Sequence, residues 1–224
     1  MQSLENDPKN LSRCELLWHA GDRAQRFYTV KAGWVCTYRE LTNGGRQVLE
    51  VFMPGDVIGV RNFAYPGYLD SAFMVRSGTV CPFPLKRLLD IFDESKILTV
   101  LFFAMASQEQ ALLVERMINL GRRSASQKLA NFIAEIYIRI QRLRPDLGEE
   151  ISLPLSQELI ADILGLSTVH VNRTFAELRQ RGLLYNHRGR VRIPDFSRLA
   201  KEGDFADEHL NKGIHELLSL ALKQ

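Results

Sequence analysis

Seven arginines crowd the stretch from Arg173 to Arg198 (Arg173, Arg179, Arg181, Arg188, Arg190, Arg192 and Arg198), against two acidic side chains, Glu177 and Asp195. A guanidinium offers a planar fork of donors that matches a guanine edge or the oxygens of a phosphate, so this run is equipped to grip a polyanion. Just upstream, Ser167-Thr168-Val169-His170 and Asn172-Arg173 put small and polar side chains on one face of a segment. Its other face, Val171, Phe175 and Leu178, repeats at steps of four and three, the spacing of a helix. Such a helix is either an ordinary amphipathic one with a solvated face, or one whose outer face meets a partner.

The elements around it favour the partner. Ser156 can cap a first helix with apolar positions Leu159, Ile160, Ile163 and Leu164, and Ala161 is small where two crossing helices approach. Gly165 supplies the left-handed residue of a tight turn, Ser167 caps the second helix and Gly182 stops it. This is the helix-turn-helix pattern, weak alone because many all-helical domains contain such turns. Directly afterwards Leu184-Tyr185-Asn186 and Arg190-Val191-Arg192-Ile193 read as two short strands about His187-Arg188-Gly189, a wing. Duplex DNA is then the expected partner. The candidate contacts are Ser156, Ser167, Thr168, Val169, His170, Asn172, Arg173, Arg188 and Arg190.

Charge is distributed to match. Of a net +3, residues 116–201 hold 15 Lys and Arg against 8 Asp and Glu, while residues 1–115 balance at −1 and residues 202–224 at −3. With 224 residues and 46% hydrophobic side chains, the chain can form one large or two ordinary globular domains. Three cysteines, Cys14, Cys36 and Cys81, lie far apart and form neither a disulfide framework nor a zinc motif. The apolar run from Ile97 to Ala106 is about half the roughly 20 residues of a membrane span, and no export leader opens the chain. The expected location is the cytoplasm, with no membrane contact.

Before the basic block, the pattern is β-type. Phe27–Val30, Trp34–Tyr38 and Gln47–Phe52 are rich in aromatic and β-branched residues, separated by Gly21-Asp22, Asn43-Gly44-Gly45 and Pro54-Gly55-Asp56. Such punctuation predicts a roll or jelly-roll barrel. From Ile97 to about Leu120 neither Gly nor Pro intervenes and apolar residues return at helical spacing, predicting a helix about 36 Å long. Its first half is apolar all round, so it needs cover on both sides: the β-domain on one, and on the other the same helix of a second copy. Ile97, Leu101, Met105, Leu112 and Ile118 are the candidate dimer residues. Ser124 and Gln127 then form a capping-box signature for a helix burying Leu129, Phe132, Ile133, Ile136 and Ile140. The expected class is α+β: a β-roll over 1–96, a dimerisation helix and hinge over 97–121, a winged helix-turn-helix over 122–202 and a helical extension over 203–224. In that extension Leu210, Ile214, Leu217, Leu218 and Ala221 recur at helical spacing.

With P-G-D-V-I-G at Pro54–Gly59, the long central helix, and L-S-x-x-x-V-N-R at Leu166–Arg173, residues 12 to 198 resemble the Crp/Fnr family of bacterial transcription regulators. The resemblance implies a homodimer paired along the central helix, an effector site in the β-roll, and DNA contact by the second helix of the motif. RNA polymerase is a further candidate partner. Arg173 matches the arginine that such proteins set on a guanine. Where the family often carries a glutamate early in that helix, this chain has Val169, which can touch a thymine methyl but cannot accept from a cytosine amino group.

Cyclic-nucleotide members place a glutamate just after the P-G-D-x-I-G turn and an arginine–serine pair further on. Here those positions hold Val60 and the stretch Leu69-Asp70-Ser71-Ala72-Phe73, with an aspartate and no arginine. A buried phosphate would lack its cation, and Arg61 stands at a different place in the pattern, so the residues argue against cyclic AMP. A lone Cys14 near the start argues against an iron–sulfur cluster. Haem stays open through His19, Cys36, Cys81 or a methionine. Arg61 to Tyr68, aromatic and broken by Pro66-Gly67, would form a loop over the pocket, suited to an apolar ligand. Val60, Arg61, Tyr65, Asp70 and Ser71 are the candidate pocket residues, and the effector itself is left unknown. An alternative function is a ligand- or haem-sensing module whose helical half contacts protein. No Gly-rich phosphate loop, metal-spaced His/Glu set or G-x-S-x-G supports an enzyme.

Overall fold

Aromatic and β-branched residues draw the N-terminal half into antiparallel strands: β1 (Lys9–Leu11), β2 (Leu16–Trp18), β3 (Arg26–Glu40), β4 (Arg46–Phe52), β5 (Val57–Ile58) and β6 (Ser71–Pro84) in the computed structural model, which describes residues 7–207. The sheet runs β1-β6-β3-β4, with β2 also on β6 and β5 also on β3. Asn43-Gly44-Gly45 makes the expected hairpin turn, Gly44 at φ 80° and Leu41 N–H donating to the Gly45 carbonyl at 2.8 Å.

One expectation changes. Phe27–Val30 and Trp34–Tyr38 are not separate strands but two parts of β3, which continues through Gly33 with irregular register against β6 from Val30 to Val35. At that point β3 and β6 come together on glycines. A Cβ on Gly33 would lie 2.6 Å from the Arg76 carbonyl oxygen, and one on Gly78 would overlap the Ala32 carbonyl. Gly33 therefore permits the strand to bend and pass; it does not end it.

The roll core gathers Val30, Val35, Phe52, Ile58 and Met74 around Trp18, whose ring stacks on Tyr28 at 5.4 Å and Tyr68 at 4.3 Å. A second apolar cluster, Phe27, Val60 and Leu88 with Phe83 and Phe102 against it, joins the sheet to α1 (Leu85–Glu94) and the start of α2 (Lys96–Arg122). α1 goes beyond what the spacing predicts.

The described residues form two compact units that part inside α2, between Ala106 and Ser107. In the second unit, α3 (Ala125–Leu143) starts on the capping box foreseen at Ser124 and Gln127. It packs against α5 (Thr168–Gln180) and α6 (Phe196–Glu202), while α4 (Gln157–Leu164) packs on α5. Leu129, Phe132, Ile133 and Ile136 are buried on α3, and Ile140 is half-buried. Glu135, buried among them, takes Arg139 at 3.0 Å and Arg116 at 3.3 Å. A three-stranded sheet, β7-β9-β8, completes the unit from β7 (Glu150–Ser152), β8 (Tyr185–His187) and β9 (Arg190–Arg192). The extension with Leu210, Ile214, Leu217, Leu218 and Ala221 lies outside the described residues.

Candidate nucleic-acid interface and effector region

α4 and α5 are set by local chemistry. Ser156 Oγ accepts from Leu159 N–H at 3.1 Å and Ser167 Oγ from His170 N–H at 3.2 Å, each cap contributing about 1 kcal/mol. Gly165 closes α4 in the left-handed region at φ 61°. Val171, Phe175 and Leu178 are buried, as their spacing requires, together with Thr174, whose hydroxyl donates to the His170 carbonyl at 2.8 Å. Ser167, Thr168, Val169, Asn172 and Arg173 are exposed and His170 is half-exposed. Val169, at 78% exposure, is a bare apolar side chain at the mouth of a polar face. Six of the nine candidate contacts thus share one end and one face of α5.

The wing is a tight hairpin. His187 pairs with Arg190, and between them Arg188 at φ 45° and Gly189 at φ 74° take the two positive φ values of a type I′ turn. Arg188 stands exposed at its tip. Arg190 is held by Glu150 at 2.6 Å, and Arg192 lies 5.0 Å from the Tyr185 ring centre. Glu150 belongs to β7, a strand not anticipated, although the alternation of buried Ile151, Leu153 and Leu155 carried its period-two signal. The seven arginines consequently differ in kind. Arg181 is engaged by Glu202 of α6, NH1 to Oε1 at 2.8 Å, and by Glu177 at 3.5 Å, while Arg173 and Arg179 stand exposed on α5.

In the roll, the predicted pocket residues divide. Val60 opens a 3-10 turn (Val60–Asn62) and is buried in the apolar cluster with Phe27 and Leu88. Tyr65 is half-exposed. Asp70 and Ser71 are buried, Ser71 Oγ accepting from Ala20 N–H at 2.9 Å. Arg61 reaches Glu50 at 2.8 Å and Asp70 at 3.2 Å. Burial pushes the Asp70 carboxyl up and the Arg61 guanidinium pulls it partly back. Arg61 is taken up by two enclosed carboxylates, and Arg39 beside them donates to the Leu69 carbonyl at 2.9 Å, so the buried Asp70 stands where a cyclic phosphate would need a cation and these residues fit a cyclic nucleotide poorly.

The α2 residues also divide. Leu101 and Met105 line a cavity in the first unit, Leu112 is buried in the second, Ile97 is half-buried and Ile118 is exposed. The exposed line is different: Phe103, Ser107, Gln110, Val114 and Met117 follow one another at alternating steps of four and three. Steps of four and three are the spacing that coiled coils use, and apolar counting misses the line because Ser107 and Gln110 interrupt it.

Residues 8–95 match the cyclic nucleotide-binding domain family and residues 117–202 the Crp-like helix-turn-helix domain family. Among curated proteins, the transcriptional activatory protein AadR of Rhodopseudomonas palustris is 32% identical over 183 residues, covering 81% of this chain and 74% of that protein. The nitrogen fixation regulation protein FixK of Bradyrhizobium diazoefficiens is 30% identical over 190 residues, 85% of this chain and 79% of its own length. The solved structure of FixK2 from Bradyrhizobium japonicum superposes with a TM-score of 0.78 at 23% identity, over 87% of this chain and 96% of that one. The chain belongs to the Crp/Fnr family of transcription regulators. Its class is α+β, a β-sheet unit joined by a long helix to a winged helix-turn-helix.

Proposed function

We propose that the chain acts in the cytoplasm as a homodimer that reads duplex DNA through the exposed N-terminal face of α5 and regulates transcription in contact with RNA polymerase. The observation that carries this reading is the exposure of Thr168, Val169, Asn172 and Arg173 on a helix whose opposite face is buried and whose start is capped. Arg173 is the base-reading candidate, Val169 the thymine-methyl contact, and Arg188 at the wing tip a phosphate contact. Arg190, held by Glu150, and Ser156 and Ser167, whose hydroxyls cap helices, serve the interface by shaping it.

α2 is long and apolar enough, by length and composition, to cross a bilayer. Glu109, Glu115, Arg116 and Asn119 along its second half, and the four-and-three line from Phe103 to Met117, support a seam between two copies instead. Pairing there would present two α5 helices to successive major grooves, about 34 Å apart. No bond-making step is required of any residue.

The test is selection of duplexes from a random library by the purified full chain at low salt, followed by salt titration of the recovered sequence. A palindromic site whose affinity falls roughly a thousandfold or more between 50 and 200 mM salt is expected for 6–10 phosphate contacts. Failure to enrich any duplex, with or without cell extract metabolites, would remove the reading.

A further inference from the structure

One residue, Arg123, separates the last turn of α2 from Ser124, the cap of α3, and its side chain is turned inward, with 6% of it exposed. The guanidinium reaches back eight residues to Glu115 on α2, at 2.9 Å. Its other nitrogen donates to the Asp204 carbonyl at 2.9 Å and to the exposed Asp204 carboxylate at 3.3 Å, just past the end of α6. All of these groups belong to the second unit. A buried guanidinium on such acceptors resists displacement, because a charge left enclosed and unpaired is costly.

The far side of this latch is anchored as well. Gly203 lies so close to α3 that a Cβ on it would sit 2.4 Å from the Asn131 amide nitrogen, and Asn131 Nδ2 donates to the Gly203 carbonyl at 3.1 Å. One residue earlier, Glu202 of α6 takes Arg181, the C-cap of α5, at 2.8 Å. Bonded groups therefore run from α2, through Arg123 and residues 202–204, to the end of α5. By contrast, a Cβ on Gly121 would meet nothing within 4 Å, so no packing holds the corner from that side.

We propose that Arg123 is a positioning residue for DNA recognition: it fixes the angle between the end of α2 and α5, and thereby the half-site spacing that the protein accepts. The inference rests on the dimeric reading above. Val114 and Met117, on the exposed line of α2, flank Glu115 on the same helix, so a seam there would carry the latch with it. One base pair inserted between two half-sites moves them apart by about 3.4 Å and rotates one by about 34°. A latched corner cannot follow such a step, and a free one can. Loss of the latch leaves each α5 face intact while releasing how the two are aimed.

The experiment titrates the full chain by fluorescence anisotropy against three duplexes: the selected palindrome, the same palindrome with one base pair added at its centre, and a single half-site. The parent should lose about a hundredfold on the lengthened duplex, where the second half-site cannot be engaged. Arg123→Gln should lose less than about tenfold between the two spacings and keep the parent's half-site affinity, with the sedimentation of the dimer unchanged. Glu115→Ala opens the latch from α2 with a residue that favours the helix, and should show the same collapse even where circular dichroism finds Arg123→Gln poorly folded. Asp204→Asn keeps the carbonyl acceptor and tolerates the left-handed backbone at φ 47°, and should match the parent. Indifference of the parent to spacing, or variants that discriminate as sharply as the parent, overturns the proposal. So does an equal loss on all three duplexes, which would make Arg123 a packing residue. A parent that binds no duplex overturns the dimeric reading and this inference with it, an outcome told apart from failure of the latch alone by the parent's own titration.

Discussion

Val169 and Arg173 stand one helical turn apart on α5, both exposed, with Val171 and Phe175 between and beyond them turned into the core. An apolar tip and a guanidinium are thereby offered together at the capped end of the helix. On the proposed reading, Val169 would meet a thymine methyl at one step and Arg173 a guanine edge close by.

Arg173→Ala is expected to cost about 1–3 kcal/mol on the selected site and to relax preference at one base pair. Paired anisotropy titrations on the selected and a scrambled duplex check it. Equal losses on both would show that Arg173 holds phosphate.

Val169→Glu replaces a methyl contact by an acceptor. Repeating the duplex selection with this variant should move the preferred base at one position from thymine towards cytosine, whose amino group can donate to the new carboxylate. An unchanged site would place Val169 off the base edges.

What could be foreseen from the sequence, and what could not, follows a physical division. Ser124, Ser156, Ser167 and Gly165 were legible because a cap or a left-handed turn is decided within four residues. The place of β7 was not, since the alternation of Ile151, Leu153 and Leu155 can signal a strand but not its pairing with Val191, far along the chain. Helical spacing identifies which α2 residues share a face but not what covers that face. Leu101 and Met105 accordingly lie against the roll cavity, while Val114 and Met117 stand exposed. Arg61 likewise reads in the sequence only as an arginine at a different place in the family pattern, and its pairing with Glu50 and Asp70 comes from the fold. Phe27–Val30 and Trp34–Tyr38 read as separate runs in the sequence, and only the close crossing of Gly33 with Gly78 of β6 explains why one strand runs through both.

Met117, 72% exposed on α2, makes no large contribution to its own chain's core. Met117→Glu should therefore fold normally yet raise the dimer dissociation constant by about a hundredfold or more, since like charges facing across a two-fold seam cost several kcal/mol. Analytical ultracentrifugation reads the outcome. A dimer unaffected by the charge would move the seam elsewhere.

The hydrogen bond from the Arg181 guanidinium holds the Glu202 carboxyl below its ordinary range, against partial burial that raises it. A carboxyl depressed in the folded state contributes stability that is full above its unfolded value, near 4.3, and is lost as pH falls through the folded one. Arg181 is nearly half exposed, so the contribution is no more than about 1 kcal/mol. Glu202→Gln should thus lower the thermal midpoint slightly at pH 7, and the gap from the parent should close as the pH is taken below about 4. A gap independent of pH would assign the effect to packing of α6.

At the waist where Gly33 meets Gly78, the two longest strands touch backbone to backbone, with room for hydrogen and nothing larger. One added methyl there would overlap the facing backbone and force the two strands apart at that point. The β-sheet unit is thus built on a rail that tolerates no rewriting at its midpoint, and any variation in what it holds has to be written in the segments hung from either side of it.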